Sequence, residues 1–319
     1  MLKSIILITS VILDFILGDP PNWPHPVRFI GTVIKKYEKI VRSVKWLDLK
    51  IGGFVLTVST IATILVLSSF ILYIAGLVHP FLRTAIEVYL IYSLLAAKCL
   101  EVETMKVYKA LESDDITKGR QLLSYLVGRD TSQLNKEEII RGAIETVAEN
   151  TIDGVLAPLF YLGIGFYFNI PVQAILLYKT INTLDSMVGY IQEPYTKIGF
   201  ASAKLDDIAN YVPARIGSVF MVLAGTVLGY KGKKGIQILI RDRKNHKSPN
   251  CGYPESAVAG LLEIQIGGTN IYFGQRVYKP TIGDAHKNLE PIHIKDTIKI
   301  MYGSEIIMVL FMLVIFNII

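Results

Sequence analysis

Residues 141–168 read RGAIETVAENTIDGVLAPLFYLGIGFYF. Arg141, Glu145, Glu149 and Asp153 recur every four residues, a spacing that stacks them along one face of a helix. From Val155 onward the run carries no charge and is apolar enough to enter a membrane. An ionisable group inside a bilayer costs about 2.5–3.5 kcal/mol or more unless it is paired or hydrated, so one kept there marks function by default. The stretch therefore predicts a helical membrane protein with a row of carboxylates at the mouth of one of its helices.

Working outward, the rest of the chain agrees. Of 319 residues 51% are hydrophobic and the mean hydropathy is +0.43, more apolar than a soluble domain of this length. Segment 51–78 has no charge and exceeds the roughly 20 residues that a helix needs to cross the hydrocarbon core. Other candidate spans are 2–17, 84–97, 154–168, 171–190, 212–230 and 301–319, the shorter ones ambiguous between crossings and buried or re-entrant helices. The first, MLKSIILITSVILDF, resembles a signal peptide, but Asp14 interrupts it and no small-x-small site follows. It reads as an uncleaved membrane helix. Basic residues cluster in 28–50, 98–141 and 231–247 and give a net charge of +6. Their first meaning is orientation, since Lys/Arg-rich loops stay on the cytoplasmic side, and their second is attraction of anionic substrates. No motif supports nucleic-acid binding. Cys99 and Cys251 form neither a disulfide framework nor a metal spacing.

The expected fold is mainly α: a polytopic integral membrane protein, read as one membrane-embedded domain over 1–319. Two extramembrane segments are expected, a helical one at about 99–150 and one at about 231–300. Ser132 or Asn135 is the expected cap of the helix that carries the carboxylate row. Pro171 suits the start of a helix and makes 154–190 a helical hairpin, which would bring Asp153 near Asp185. LEIQIGGTNIYFG, 262–274, alternates around Gly267-Gly268 and predicts a β-hairpin within the second extramembrane segment.

Five polar constellations could carry chemistry. LGDPPNWPHPVRFIG (17–31) is stiffened by Pro20, Pro21, Pro24 and Pro26 and presents Asp19, His25 and Arg28; its plainer reading is a rigid interfacial turn anchored by Trp23. The carboxylate row is the second; an Arg141–Glu145 pair explains only part of it, and hard oxygen ligands of this kind suit Mg²⁺ bridging phosphates. Lys179, Asn182 and Asp185/Ser186 form a polar stripe on an apolar helix. Lys204, Asp206, Asp207, Asn210 and Arg215 crowd ahead of another span, with Pro213 where a helix restarts. Arg241, Arg243, Lys244, His246 and Lys247 precede a helix expected to begin around Glu255, whose start could hold phosphate. Interhelical hydrogen bonds and juxtamembrane charge are the plainer readings of the last three. P-loop, HExxH and GxGxxG motifs are absent, as is the two-Asp pattern of CDP-alcohol phosphotransferases. His286, Glu290 and His293 read as a solvated loop.

Together these segments resemble the adenosylcobinamide-phosphate synthase family (CbiB/CobD) of cobalamin biosynthesis. The resemblance covers nearly the whole chain, in order: LGDPPNWPHPVRFIG; VGRDT at 127–131; ETVAENTIDGVLAPLFY at 145–161; NTLDSMVGY at 182–190; KLDDIANYVPARI at 204–216; SPNCGYPESAVAG at 248–260; and GGTNIYFG with Ile282-Gly283-Asp284. Departures fall at Ile152 and Cys251. A family linked to β-lactamase regulation shares the architecture, but these motifs favour the synthase.

The resemblance implies a multi-pass protein of the cell membrane that is an ATP- and Mg²⁺-dependent amide ligase. It would join adenosylcobyric acid to aminopropanol phosphate, or a related amino-alcohol phosphate, to give adenosylcobinamide phosphate. Its expected partners are these substrates, ATP as co-substrate, membrane lipid and other membrane-associated cobamide-assembly enzymes. On that reading Glu149, Asp153 and Asp185 carry the phosphate chemistry, with Asp206 or His246 as base. Glu145, Glu149 and Asp153 are the metal candidates. His25, Arg28, Lys179, Asn182, Lys204, Arg215, Arg241, Lys244 and Glu255 are the substrate- and phosphate-binding candidates. A membrane transporter of a corrinoid or anionic solute is the alternative, since polar stripes on membrane helices suit it equally. A non-catalytic scaffold is a third class, and would tolerate substitution of the carboxylate row.

Overall fold

The computed structural model describes all residues except Pro21, Ile191, Phe273, Gly274 and Ile319, and no side chain within 270–277. The chain is mainly helical. In order it forms α1 (Leu2–Leu17), α2 (Pro26–Ser43), α3 (Leu49–Val78), α4 (Pro80–Tyr92), α5 (Ala97–Glu112), α6 (Ile116–Ser124) and α7 (Lys136–Asn150). A π-helical turn, Thr151–Leu156, leads into α8 (Ala157–Phe168). Then come α9 (Pro171–Val188), α10 (Phe200–Ala209), α11 (Tyr211–Val227), α12 (Gly232–Asp242), α13 (Gly252–Leu262), strands β1 (Ile266–Tyr272) and β2 (Gln275–Ile282), and α14 (Ile292–Ile318). The chain divides into two compact units, each built from separate stretches: Met1–Ala96, Ala157–Asn210 and Met312–Ile319 in one, Ala97–Leu156 and Tyr211–Phe311 in the other.

Among the described residues, three helices are long and apolar enough to cross a membrane: α3, the run Lys136–Phe168 that contains the opening stretch, and α14. At 30 residues, α3 is about 45 Å long, against a hydrocarbon core of roughly 30 Å. The pair α10 and α11 passes the same test together. Three other candidate spans are helices that fall short of it: α1 has 16 residues and α4 has 13, and α9 is diluted by its polar stripe.

In the first unit α3 is the central post, against which α2, α4, α9 and α10 pack. Small residues set the spacing. A Cβ at Gly53 would lie 2.1 Å from the Ile198 carbonyl, and Thr57 and Ser202 share a buried hydrogen bond of 2.9 Å. The α8–α9 hairpin turns through Asn169 in the left-handed region, φ 59°, and Pro171 opens α9, as the Asn-Ile-Pro sequence predicts. Asp153 and Asp185, expected to meet at its ends, belong to different units.

In the second unit α13 is the buried centre, packed on α7, α11 and α12; 10 of its 11 residues are buried. Helix α7 starts where a cap was expected, at Asn135 rather than Ser132. Asn135 accepts from the Glu138 N–H while the Glu138 carboxylate accepts from the Asn135 N–H, a reciprocal capping box. The antiparallel hairpin corrects one expectation. Gly267-Gly268 is not its turn: both lie within β1, at an irregularity where Ile266 pairs with Ile282 but Gly268 with Lys279. The residues between the two strands, 273–274, lie outside the described residues.

Candidate active site

The carboxylate row sits in the second unit, and its first members are held from three directions. Glu145 forms a buried ion pair with Arg129, 2.9 Å, with the two side chains 8% and 4% exposed. It also faces Arg141 one turn earlier at 3.7 Å and accepts the backbone N–H of Gly267 at 3.0 Å. Two glycines allow this convergence. Gly142 has no Cβ because one would lie 2.3 Å from the Arg129 guanidinium. Gly267, at φ 85°, adopts a backbone that side-chain-bearing residues resist and so turns its N–H onto Glu145. Arg141 in turn donates to the Thr269 carbonyl at 3.1 Å, which ties α7 to β1.

Glu149, one turn on, accepts a hydrogen bond from the Cys251 thiol at 3.0 Å. Glu149 faces a cavity of about 150 Å³, room for a small polar group but not for a nucleotide or a macrocycle. Its walls carry Arg129, Glu145, Glu149, Asn150, Glu255 and Lys279. Burial, then repulsion from Glu145, pushes the Glu255 carboxyl well above the usual range. Burial and the Glu149 charge push the Cys251 thiol up likewise. Burial and nearby Lys279 lower His246. Its Nδ1 accepts from the Ser248 N–H at 3.0 Å and its Nε2 lies 3.1 Å from Lys279 Nζ.

Arg215 approaches the same loop. Its guanidinium lies over the rings of Tyr211 and Tyr253, at 3.4 and 4.4 Å to their centroids, and donates to Asn250 Oδ1 at 3.3 Å. Its planar guanidinium is stacked and half-exposed, a state in which an arginine can pair with an anion. Arg241 is engaged otherwise. Asp242 and Asp284 each accept from it, at 2.7–2.8 and 2.9–3.2 Å, and Asp242 also accepts the Gly283 N–H. That clamp pins the end of α12 to the end of β2 and neutralises the charge expected to bind phosphate. Lys244 is exposed to solvent. Helix α13 starts at Gly252, three residues before the expected Glu255, so Glu255 lies in the first turn with its side chain buried. The π-helical turn displaces Asp153 from the four-residue register that Glu145 and Glu149 keep. His293 accepts the Glu290 N–H at 3.1 Å, a local turn rather than a ligand pair.

The remaining candidates lie in the first unit. A hydrogen-bonded chain runs Tyr178–Asn210–Asp206–Asn182, with steps of 2.9, 3.1 and 3.4 Å. It ties the polar stripe of α9 to α10, which gives that stripe the interhelical role that was its plainer reading. Lys179 is 8% exposed on the same helix, and Asp185 accepts the Gly189 N–H through its carbonyl at the helix end. Lys204 is paired with Asp207 at 3.3 Å. His25 is the N-cap of α2: Nδ1 accepts from Val27 N–H and Nε2 meets Asp19 at 3.1 Å. With Arg28 and Trp23 it edges a largely apolar groove of about 540 Å³ that reaches Ile64 and Leu67 of α3.

Sequence reasoning did not single out Arg129, Lys279, Asn250 or Cys251. Arg129 falls within VGRDT, and Asn250 and Cys251 within SPNCGYPESAVAG, but no role was read for them there; Lys279 lies outside every motif quoted. Among the described residues no three His, Cys, Asp or Glu side chains gather as a metal cage.

Comparison with known proteins places the chain. A family described as "CobD/Cbib protein" matches residues 7–301. The "Cobalamin biosynthesis protein CobD" of Listeria monocytogenes serotype 4b (strain F2365) is 49% identical over 300 residues, covering 94% of each chain. That of Citrobacter koseri is 44% identical over 306 residues, 95% of this chain and 94% of its own. The "Cobalamin biosynthesis protein CbiB" of Salmonella arizonae is 45% identical over 296 residues, 92% and 91%. No solved structure matches. With the motifs in order, the fold helical and the match nearly end to end, this chain belongs to the CobD/CbiB family of cobalamin biosynthesis proteins.

Proposed function

We propose that this protein forms the amide bond between adenosylcobyric acid and an amino-alcohol phosphate, with ATP as the activating co-substrate, at the membrane. The observation that carries the reading is the small polar cavity on α7, where Glu149, Glu255 and Lys279 surround a space the size of an amine head group. A carboxylate and an ammonium do not condense unaided; phosphorylation of the carboxylate gives an acyl phosphate that a neutral amine attacks.

Within that reaction the side chains divide the work. Glu149 faces the amino end of the small substrate. Arg215, stiffened by its two tyrosines, binds phosphate. Buried Arg129 and Glu145 keep α7 and the loop before it in one position, the kind of preorganisation that lets charges act without rearranging. Glu145 is committed to two arginines and a backbone N–H, which leaves Glu149 and Asp153 as the oxygens fit to hold Mg²⁺. A two-carboxylate set suits this ion, which keeps waters and substrate phosphates in its shell. When bound with ATP, Mg²⁺ neutralises the phosphates.

The test is direct. Purified protein incubated with adenosylcobyric acid, aminopropanol phosphate, ATP and Mg²⁺ should yield adenosylcobinamide phosphate by mass, and Glu149→Gln should abolish it without unfolding the protein. No product from the wild type, or wild-type turnover in the variant, would overturn the proposal.

A further inference from the structure

The cavity on α7 is too small for a nucleotide, so the ATP of the proposed reaction needs a second space beside it. A cleft of about 440 Å³ opens between α6 and the loop that follows it. Helix α6 lines it with Thr117, Arg120 and Ser124, whose spacing sets them on one helical face. Arg129 and Asp130 of the VGRDT motif stand on the other wall. Arg129 also lines the cavity on α7, so the two spaces have a wall in common.

The cleft is held in shape by its own bonds. Buried Thr131 donates its hydroxyl to the Arg120 carbonyl at 2.9 Å, and Arg120 Nε donates to the Leu134 carbonyl at 2.7 Å. These bonds fix the loop to α6 and aim the guanidinium, yet they use only one of its five donors. Among the described residues nothing accepts from the other four. Asp130 is oriented by the Ser132 N–H, which it accepts at 2.9 Å. A guanidinium binds phosphate, whereas a carboxylate repels phosphate and accepts hydroxyls. A ligand that suits both carries an anion and a diol, as a nucleoside phosphate does. The larger groove beside α3 has a mostly apolar lining and offers no such pair.

We infer that the cleft between α6 and the VGRDT loop is the nucleotide site, with Arg120 on the phosphates and Asp130 on the ribose diol. The inference rests on the amide-forming reading above and gives its co-substrate a place. Arg129 keeps its bond to Glu145 and is a positioning residue, holding the wall that the two spaces share. The nucleotide and the small substrate then lie side by side, each in a space of its own size. This also gives the VGRDT motif work that the cavity on α7 leaves unassigned, since Asp130 lines only the cleft.

Equilibrium dialysis of labelled ATP with Mg²⁺ against the whole protein in detergent tests the proposal without turnover. The wild type should bind ATP, and Arg120→Gln should weaken binding about tenfold or more. Ser124→Trp, at an exposed position, should block binding by filling the cleft. A ribose-dideoxy analogue of ATP should bind more weakly than ATP to the wild type but equally well to Asp130→Ala, a comparison that isolates the ribose contact. Excess aminopropanol phosphate should displace no ATP. In the amide-forming assay Arg120→Gln should raise the KM for ATP and leave that for aminopropanol phosphate near wild type. No ATP bound by the wild type, wild-type affinity in both Arg120→Gln and Ser124→Trp, an undiminished dideoxy penalty in Asp130→Ala, or displacement by aminopropanol phosphate overturns the proposal. If Arg120→Gln and Ser124→Trp make amide with an unchanged KM for ATP, the site fails and the amide-forming reading stands. If the wild type binds ATP with these dependences but makes no amide, the functional reading fails and the site stands.

Discussion

Replacing Glu145 by Ala removes the acceptor on which Arg129, Arg141 and the Gly267 N–H converge. Both members of the Arg129–Glu145 pair are more than nine-tenths buried, so the substitution leaves a buried guanidinium without this carboxylate. Removing one partner of a buried pair costs about 3–5 kcal/mol, and the Gly267 N–H adds to this without full additivity, because the bonds form one network. At roughly 2–4 °C per kcal/mol for a unit of this size, the unfolding midpoint should fall on the order of 6–20 °C. Glu145→Gln, which keeps an acceptor for Gly267 but not the charge, should fall between Ala and wild type. The sequence supplies a reporter for each unit. Both cysteines, Cys99 and Cys251, lie in the unit that holds Glu145, and both tryptophans, Trp23 and Trp46, lie in the other. Heating in detergent with a thiol-reactive fluorophore should therefore show the full shift. Tryptophan emission from the same sample reads whether the other unit follows. A thiol-exposure midpoint within 3 °C of wild type (roughly 1 kcal/mol) would refute the argument that this pair holds the unit together.

Two further expectations concern the same unit. Gly142→Ala places a Cβ 2.3 Å from the Arg129 guanidinium and 2.9 Å from Leu123 Cδ2; overpacking of this kind costs about 1–3 kcal/mol, visible in the same thiol assay. The Asp242–Arg241–Asp284 clamp makes stability depend on acid. Burial raises the Asp242 carboxyl, but Arg241 and the Gly283 N–H outweigh this and lower it; Arg241 lowers Asp284. A depressed carboxylate stabilises above its unfolded value of about 3.9 and loses that contribution as pH falls through the folded value. Urea midpoints should thus drop below about pH 4, and Asp242→Asn should be less stable at pH 6 with a shallower acid loss. An unchanged acid slope in that variant would exclude the clamp as its source.

The helical membrane character, the cap at Asn135 and the α8–α9 turn were legible because each rests on neighbouring residues. A 28-residue run without charge, an Asn followed three residues later by Glu, and an Asn-Ile-Pro break need no distant partner. The carboxylate row was legible only as far as Glu149. A period-four reading assumes one helix geometry, and the π-helical turn at Thr151–Leu156, with its i→i+5 bonds, ends that register before Asp153. Charge alone misled at Arg241, where the adjacent Asp242 and the distant Asp284 claim the guanidinium. It misled again at Glu255, whose side chain in the first turn of α13 points inward and is buried. Lys279 carried no local signal, since strand pairing, not spacing, brings it to the cavity on α7. Gly267-Gly268 was read as a turn because paired glycines usually mark one, whereas here they let backbone reach a carboxylate.

The Glu145 network also has an order in time. Its bond to Arg129 closes over 16 residues, so both charges leave the ribosome almost together. The Gly267 N–H is 122 residues further along the chain. At about 5–20 residues per second, it is synthesised roughly 6–24 s after Glu145. Until then the partners of Glu145 that have been synthesised are Arg129 and Arg141. Opposite charge for the carboxylate is thus available in the chain well before the hairpin that completes the cradle has been translated.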